Sequence, residues 1–319
     1  MKKYLLLIFA VVFVFTGCSS KDSMFKKGVV YAKSGKRDAA LSMYNKVLKK
    51  DPNYFSALVN RAIIFEQMGD DARAEKDYKR AYKVNRQNST LLTNMGAFYF
   101  KRKYPMDALF YLNAAIESDY KNISALLTRS AVYESLGYKN RAMEDILEAQ
   151  AIAPDSQLIT VAKAKLDTEL YRFEDALKGF TEAIYNDPKN AEYYYLRGNV
   201  FIVTRHYANA LSDFDTAVLL KKDHIPALYA KAQLLFKSGD YESALADLNK
   251  IKSINNKYVK AYEFSGDILA IEDPVSATSN YMAARKLDPK NAKRYNAKIK
   301  LMKTDAGRRR VIKRTFDDI

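Results

Sequence analysis

Small and apolar residues return along this chain at one fixed interval. Ala40, Ala74, Ala108, Ala142, Ala176, Ala210 and Ala244 lie 34 residues apart, and Ala277 follows after 33. Four positions after each stands a large apolar residue: Tyr44, Tyr78, Leu112, Ile146, Phe180, Phe214, Leu248 and Tyr281. Three further on come Val47, Ala81, Ala115, Ala149, Ala183, Ala217, Ile251 and Ala284. Offsets of 0, 4 and 7 trace one face of a helix. Twelve residues before the first seven alanines sit Gly28, Ala62, Gly96, Ser130, Ala164, Gly198 and Ala232, with Gly266 as the counterpart in a shortened eighth unit. Small side chains at both places predict two helices in close approach, with the large residue filling the groove beside them. Each unit therefore reads as a helical hairpin.

The punctuation agrees. Gly35, Gly69, Gly137 and Gly239 share one position in the turn between the two helices. Pro52, Pro154, Pro188 and Pro289 fall where the second helix must end, because proline lacks an N–H and fixes φ. Pro105 and Pro274 fall in inter-helix turns and Pro226 at a helix start, so no proline interrupts a predicted helix.

The pattern resembles the tetratricopeptide repeat family, whose 34-residue unit carries small residues at positions 8, 20 and 27, aromatics near 11 and 24, and proline at 32. Tyr31, Phe65, Tyr99, Tyr133 and Phe201 match position 11. The family's Trp at position 4 is replaced throughout, for example by Leu58, Leu92 and Tyr194. The resemblance implies an all-α chain, an α-solenoid of eight hairpins at 21–54, 55–88, 89–122, 123–156, 157–190, 191–224, 225–258 and 259–291. Hairpins of this kind bury their apolar faces against one another, and no low-complexity linker divides them. In 292–319, Ala292, Tyr295, Ile299 and Met302 form a narrow apolar stripe among lysines, which suits a capping helix followed by a basic tail. The fifth unit departs from the rule: Asp167 stands where an apolar or aromatic residue is expected, one turn after Lys163. That reads as a weaker contact between repeats or as a hinge.

The N-terminus has a different pattern. Lys2 and Lys3 precede an uncharged stretch of 13 residues, 4–16, then Gly17 and Cys18. The stretch is shorter than the ~20 residues that span a bilayer as a helix, so it reads as a cleaved signal. It resembles a bacterial lipoprotein signal, with 1–17 removed, Cys18 lipidated and 18–20 a tether, although Phe15 stands where that family prefers an aliphatic residue; the alternatives are a plain secretory signal and an uncleaved anchor. Cys18 is the only cysteine, so disulfides play no part in the fold, and acylation accounts for the odd thiol. Asp22 or Ser23 is the expected N-cap of the first helix, which would set the first repeat beside the membrane.

Charge and chemistry narrow the function. Without Lys2 and Lys3 the chain holds 51 basic against 37 acidic residues, about +14. Half of this excess lies beyond Asn291, where ten basic residues face Asp305, Asp317 and Asp318. Only His206 and His224 are present, both in predicted turns, which leaves no zinc spacing. No nucleophile elbow, phosphate loop or dinucleotide fingerprint appears. Asp213 and Asp215 lie two apart on a helix and read as solvated surface. No catalytic residue, metal ligand or cofactor is expected, and the chain reads as a non-enzyme.

Binding residues follow from the family resemblance, which implies a concave groove lined by positions 2, 5, 9, 12 and 13 of each first helix. Those positions hold Phe25, Val29, Val59, Ile63, Phe100 and Leu127, then Tyr195, Asn199, Ile202, Tyr229, Gln233, Phe236 and Lys237. Apolar surface interleaved with amides suits an extended or helical segment of another protein. Tyr195 with Asn199 and Tyr229 with Gln233 are the preferred peptide site. The alternative is that these residues pack internally or in a homodimer. The family's Lys/Asn clamp for a C-terminal carboxylate has no lysine at position 5 in any unit, so chaperone-tail capture is not implied. In the tail, Arg308, Arg309, Arg310, Lys313 and Arg314 are candidates for anionic lipid or cell-wall polymer, the alternative being a solvated end. The resulting expectation is a cell-envelope lipoprotein, facing periplasm or exterior with the outer membrane mildly favoured, whose partners are an envelope protein and the membrane and not nucleic acid.

Overall fold

A computed structural model describes residues 19–319, and within them the fold is all helical. Cys18 and the signal reading of 1–17 lie outside the described residues. The helices fall into two compact units, one ending at Ala153 and the other spanning Pro154–Ile319, a division that no linker in the sequence announces.

The first unit contains α1 (Ser19–Lys33), α2 (Arg37–Lys50), α3 (Phe55–Gln67), α4 (Asp71–Val84), α5 (Ser89–Lys101), α6 (Pro105–Ser118), α7 (Ile123–Ser135) and α8 (Lys139–Ile152). The second contains α9 (Gln157–Glu169), α10 (Phe173–Asn186), α11 (Ala191–Val203), α12 (Tyr207–Leu220), α13 (Ile225–Ser238), α14 (Tyr241–Ile254), α15 (Val259–Leu269) and α16 (Pro274–Leu287). A 3-10 turn, Pro289–Asn291, then leads to α17 (Ala292–Leu301) and α18 (Asp305–Asp318). Helices pair in hairpins, and within each unit the second helix of one hairpin packs on the first of the next.

The alanine register is the core. All eight alanines, and the large residues four positions later, are buried. The small residue on the first helix faces that large residue directly. A Cβ added at Gly28 would lie 2.5 Å from the Tyr44 ring, at Gly96 2.5 Å from Leu112, at Gly198 2.6 Å from Phe214 and at Gly266 2.6 Å from Tyr281. Four of the hairpins therefore close so tightly at this place that a Cβ would force the facing side chain to shift.

The turns repeat one hydrogen-bonded form. Lys36 N–H donates to the Tyr31 carbonyl and Gly35 N–H to that of Ala32, the paired bonds of a Schellman motif with Gly35 at φ 73°. Gly69, Gly137 and Gly239 repeat it, but Lys103, Tyr171 and Arg205 hold the same slot at φ 65°, 60° and 62°. Helix starts are capped by Asp70, Asn88, Asn122, Asn190, Asp240, Asp273 and Thr304, whose side chains accept from backbone N–H groups two or three residues on.

Three expectations are corrected. Asp22 and Ser23 lie inside α1, so neither caps it. Asp22 lies in its first turn and accepts from the Tyr54 hydroxyl at 2.8 Å. The stretch after α17 is a second ordered helix, α18, because Thr304 caps it and Gly307 has no Cβ to strike the Leu301 carbonyl. Asp213 is not solvated surface: it is 5% exposed and held by both ends of the Arg197 guanidinium, at 2.9 and 2.8 Å.

That ion pair is one of three alike. Arg61 pairs with Asp77, Arg129 with Asp145 and Arg197 with Asp213, each across 16 residues within one hairpin. Each arginine also donates 16 residues backward to the preceding hairpin, to Asn45 (2.6 Å), Asn113 (2.9 Å) and Thr181 (3.1 Å). Lys231 bridges Asp215 and Asp247 in the same way. Bidentate guanidinium–carboxylate geometry offsets the desolvation that burial imposes and fixes hairpin against hairpin.

Candidate peptide-binding groove

The residues assigned to the groove divide between the two units. In the first, Phe25 packs against Tyr44 and Tyr54, Val59 is buried, and Phe100 and Leu127 are half-buried. In the second, Tyr195, Asn199, Ile202, Tyr229, Gln233 and Lys237 are all half-buried.

The two preferred tyrosines are pinned by their neighbours. Tyr195 lies 5.3 Å from the His224 ring and 6.1 Å from Phe214. Tyr229 lies 6.0 Å from Tyr258 and 5.8 Å from Phe264. Burial pushes the Tyr229 phenol well above its ordinary range, with Tyr258 and Glu263 adding to the shift. Tyr258 is raised by burial and then by Tyr195. Tyrosines from adjacent hairpins thus form one seam, their rings contributing to packing while Asn199 and Gln233 supply amides beside them.

Phe236 is a correction. It is 1% exposed, covered by Phe264 at 5.5 Å and by Phe316 of α18 at 6.2 Å, so it belongs to the interior in this arrangement. The repeat pattern could not foresee this, because the covering ring comes from outside the repeats.

Sequence reasoning also missed the residue that precedes each first helix. Tyr54, Asn88, Asn122, Asn190, His224 and Tyr258 share this place in the 34-residue unit. His224 accepts the Ala227 N–H on Nδ1, which leaves Nε2 to donate to Glu192 at 3.2 Å. Its role is a cap and a wall for Tyr195. The signal was a polar or aromatic residue at a constant offset from the alanines.

On α15, positions 5 and 9 hold Glu263 and Asp267, both buried. Lys298 of α17 reaches Glu263 at 2.7 Å and Asp267 at 2.7 and 2.9 Å, while Arg294 reaches Glu263 at 2.6 Å. Tyr281 also donates to Asp267 at 2.8 Å. Burial raises the Asp267 carboxyl despite Lys298 beside it. The last repeat's acidic groove positions are therefore paired with cations of the chain itself, although Glu263 Oε1 makes no hydrogen bond.

Of the basic residues on α18, Arg308 is half-buried, paired with Asp305 and donating to the Met302 carbonyl at 3.0 Å, and Arg314 lies 3.7 Å from Asp318. Arg309, Arg310 and Lys313 are exposed. Among the described residues no group of three His, Cys, Asp or Glu side chains is placed to hold a metal ion, and no helix is long and apolar enough to cross a membrane.

Comparison with known proteins gives the same picture. Residues 25–89 and 162–224 match one tetratricopeptide repeat profile, and 123–156 and 225–258 another. The human mitochondrial import receptor subunit TOM70 is 25% identical over 265 residues, which are 78% of this chain and 43% of that protein. The chain spans less than half the length of the first curated relatives it matches. A tetratricopeptide repeat protein from Parabacteroides merdae superposes with a TM-score of 0.64 at 18% identity, over 77% of this chain and 98% of that one. Yeast Tom70 superposes at 0.65 and 18% identity, over 91% and 66%. With its repeats matched over more than half of its length and its helices paired in 34-residue hairpins, the chain belongs to the tetratricopeptide repeat family.

Proposed function

We propose that this protein is a lipid-anchored adaptor of the bacterial cell envelope, without catalytic activity, that holds another envelope protein on the first-helix faces of its second unit. Proteins of this family act as interaction scaffolds, and relatives here include an import receptor subunit by name. The observation that carries the reading is the half-buried strip Tyr195, Asn199, Tyr229, Gln233, which sets amide donors and acceptors beside aromatic surface on successive hairpins. Such a strip can hydrogen-bond a backbone while its rings take side chains. The anchor reading rests on Gly17–Cys18 after the apolar stretch 4–16.

The tyrosines are poor test sites because they support the packing. Asn199→Ala with Gln233→Ala removes the amides and leaves the rings. Crosslinking and affinity purification from native membranes should enrich one envelope protein with the wild type and lose it with the double variant. Equal recovery from both would overturn the groove assignment. Cys18→Ser should move the protein out of the membrane fraction, and unchanged partition would remove the anchor from the proposal.

A second reading draws on the exposed Arg309, Arg310 and Lys313 of α18, which offer an anionic lipid or cell-wall polymer a cationic face. Binding of that kind weakens steeply with salt, whereas groove binding does not.

A further inference from the structure

The strip on α13 runs into another part of the same chain. Phe316 lies over Phe236, and the Lys237 ammonium sits 5.7 Å from the Phe316 ring. Ile312 and Ile319 pack on the cluster that contains Leu235, Phe236, Phe264 and Ile268, while Val311 joins Ala270, Ala277 and Tyr281. Helix α18 thus lays one apolar stripe across α13 and α15, the first helices of the last two hairpins, and turns Arg309, Arg310 and Lys313 outward.

We propose that this face of the second unit is a helix-binding groove, whose partner is an amphipathic helix with an aliphatic pair followed four residues later by an aromatic one, and that α18 is a resident copy which such a partner displaces. This deepens the groove reading above and rests on it.

The way the two terminal helices are held supports displacement. Helix α17 is fixed by charge, through Lys298 and Arg294 on Glu263 and Asp267. The polar bonds of α18 stay within itself and its entry turn: Thr304 caps Gly307, Arg308 meets Asp305 and the Met302 carbonyl, Thr315 donates to Val311 and Arg314 pairs with Asp318. Its hold on the groove is apolar contact and one cation–ring contact. A helix of this length is marginal in water alone, so docking and folding go together.

The fit is also incomplete. Phe316 remains 48% exposed and forms one wall of a cleft of about 490 Å³ with Tyr207, Leu211, Leu234 and Lys237. An aromatic larger than Phe316 would fill that space and bury more apolar surface than α18 does. The resident helix has the advantage of its tether, which supplies an effective concentration on the millimolar scale.

The test uses the full-length protein and a labelled synthetic peptide of residues 303–319. Ile312→Asp with Phe316→Asp in the protein should release α18, so the peptide should bind this variant at least about tenfold more tightly than wild type. A peptide carrying Phe316→Ala should lose most of that gain. Phe316→Ala alone in the protein, a milder change, should give a smaller gain in the same direction and decides the matter if the double variant melts early. Equal peptide affinity for wild type and both variants, or no binding to either folded variant, overturns the proposal. If the peptide fails while the Asn199, Gln233 variant still loses its envelope partner, the groove reading stands and only the helical partner falls.

Discussion

The fourth and fifth repeats, neighbours in sequence, fill the same slots with opposite chemistry. In the fourth, Tyr133 at position 11 has the guanidinium groups of Arg129 and Arg141 within 5.9 Å of its ring, and Arg129 clamps Asp145 while reaching Asn113. Gly137 takes the left-handed turn position and Asn122 caps α7. In the fifth, position 11 is Asp167, 1% exposed, held by Lys163 at 2.8 Å, while its other oxygen lies 3.8 Å from Arg172 and lacks a hydrogen-bond partner. Tyr171 takes the left-handed position, and Ser156 makes no capping bond. The lesson is that one backbone geometry tolerates a satisfied buried charge and a half-satisfied one alike, so the fold does not require the stronger version.

The comparison is most sharply tested at Asp145. Asp145→Ala leaves the Arg129 guanidinium largely buried without its carboxylate and should destabilise the protein by about 3 kcal/mol, read from urea denaturation. At Asp167 the sign should reverse. Asp167→Leu removes a carboxylate that has one unmade bond, and Lys163 and the half-exposed Arg172 both retain a route to solvent, so stability should rise by about 1 kcal/mol. A loss at this site would mean that the buried pair holds repeat five together.

Smaller effects follow from the turn and the cap. Tyr171 is 79% exposed at φ 60°, so Tyr171→Gly should stabilise by about 0.5–1 kcal/mol, while Gly137→Ala should destabilise by a similar amount. Asn122→Ala should cost at least about 1 kcal/mol, because the cap is lost together with the amide's bonds to Ser89 and Thr93, and Ser156→Ala almost nothing. Acid should separate the caps again. The carboxyls of Asp240 and Asp273 are lowered by their bonds to Ser243 and Ser276. Their support is therefore present above the ordinary carboxylate range and is lost as pH falls through the depressed values. Hydrogen-exchange protection at the starts of α14 and α16 should fall there, and protection at the Asn122-capped start of α7 should not.

What was legible in the sequence follows from what repeats. The alanine, large-residue and turn positions recur in nearly every unit because every hairpin faces the same steric problem, and the helices fall where that register puts them. The residues assigned to the groove were legible as positions but not as environments. Phe236 and Phe316 meet through α18, which belongs to no repeat, so no periodicity announces the contact. The tyrosine seam escaped for a related reason: Tyr258 lies outside the first helices that were expected to line the groove. The arginine clamps were missed because they return only in every second unit, and Asp213, read beside Asp215, looked like one of two surface acids.

That alternation means the molecule counts in twos. Arg61, Arg129 and Arg197 lie 68 residues apart, and each draws an acceptor from the hairpin before it. Removing 89–122 alone would set Arg129 against Lys79, one cation facing another, where Asn113 now stands. Removing 55–122 would offer it Asn45, an amide of the same kind. The hairpin is the unit of shape in this array, but the pair of hairpins is the unit whose loss or gain keeps these arginines facing an acceptor.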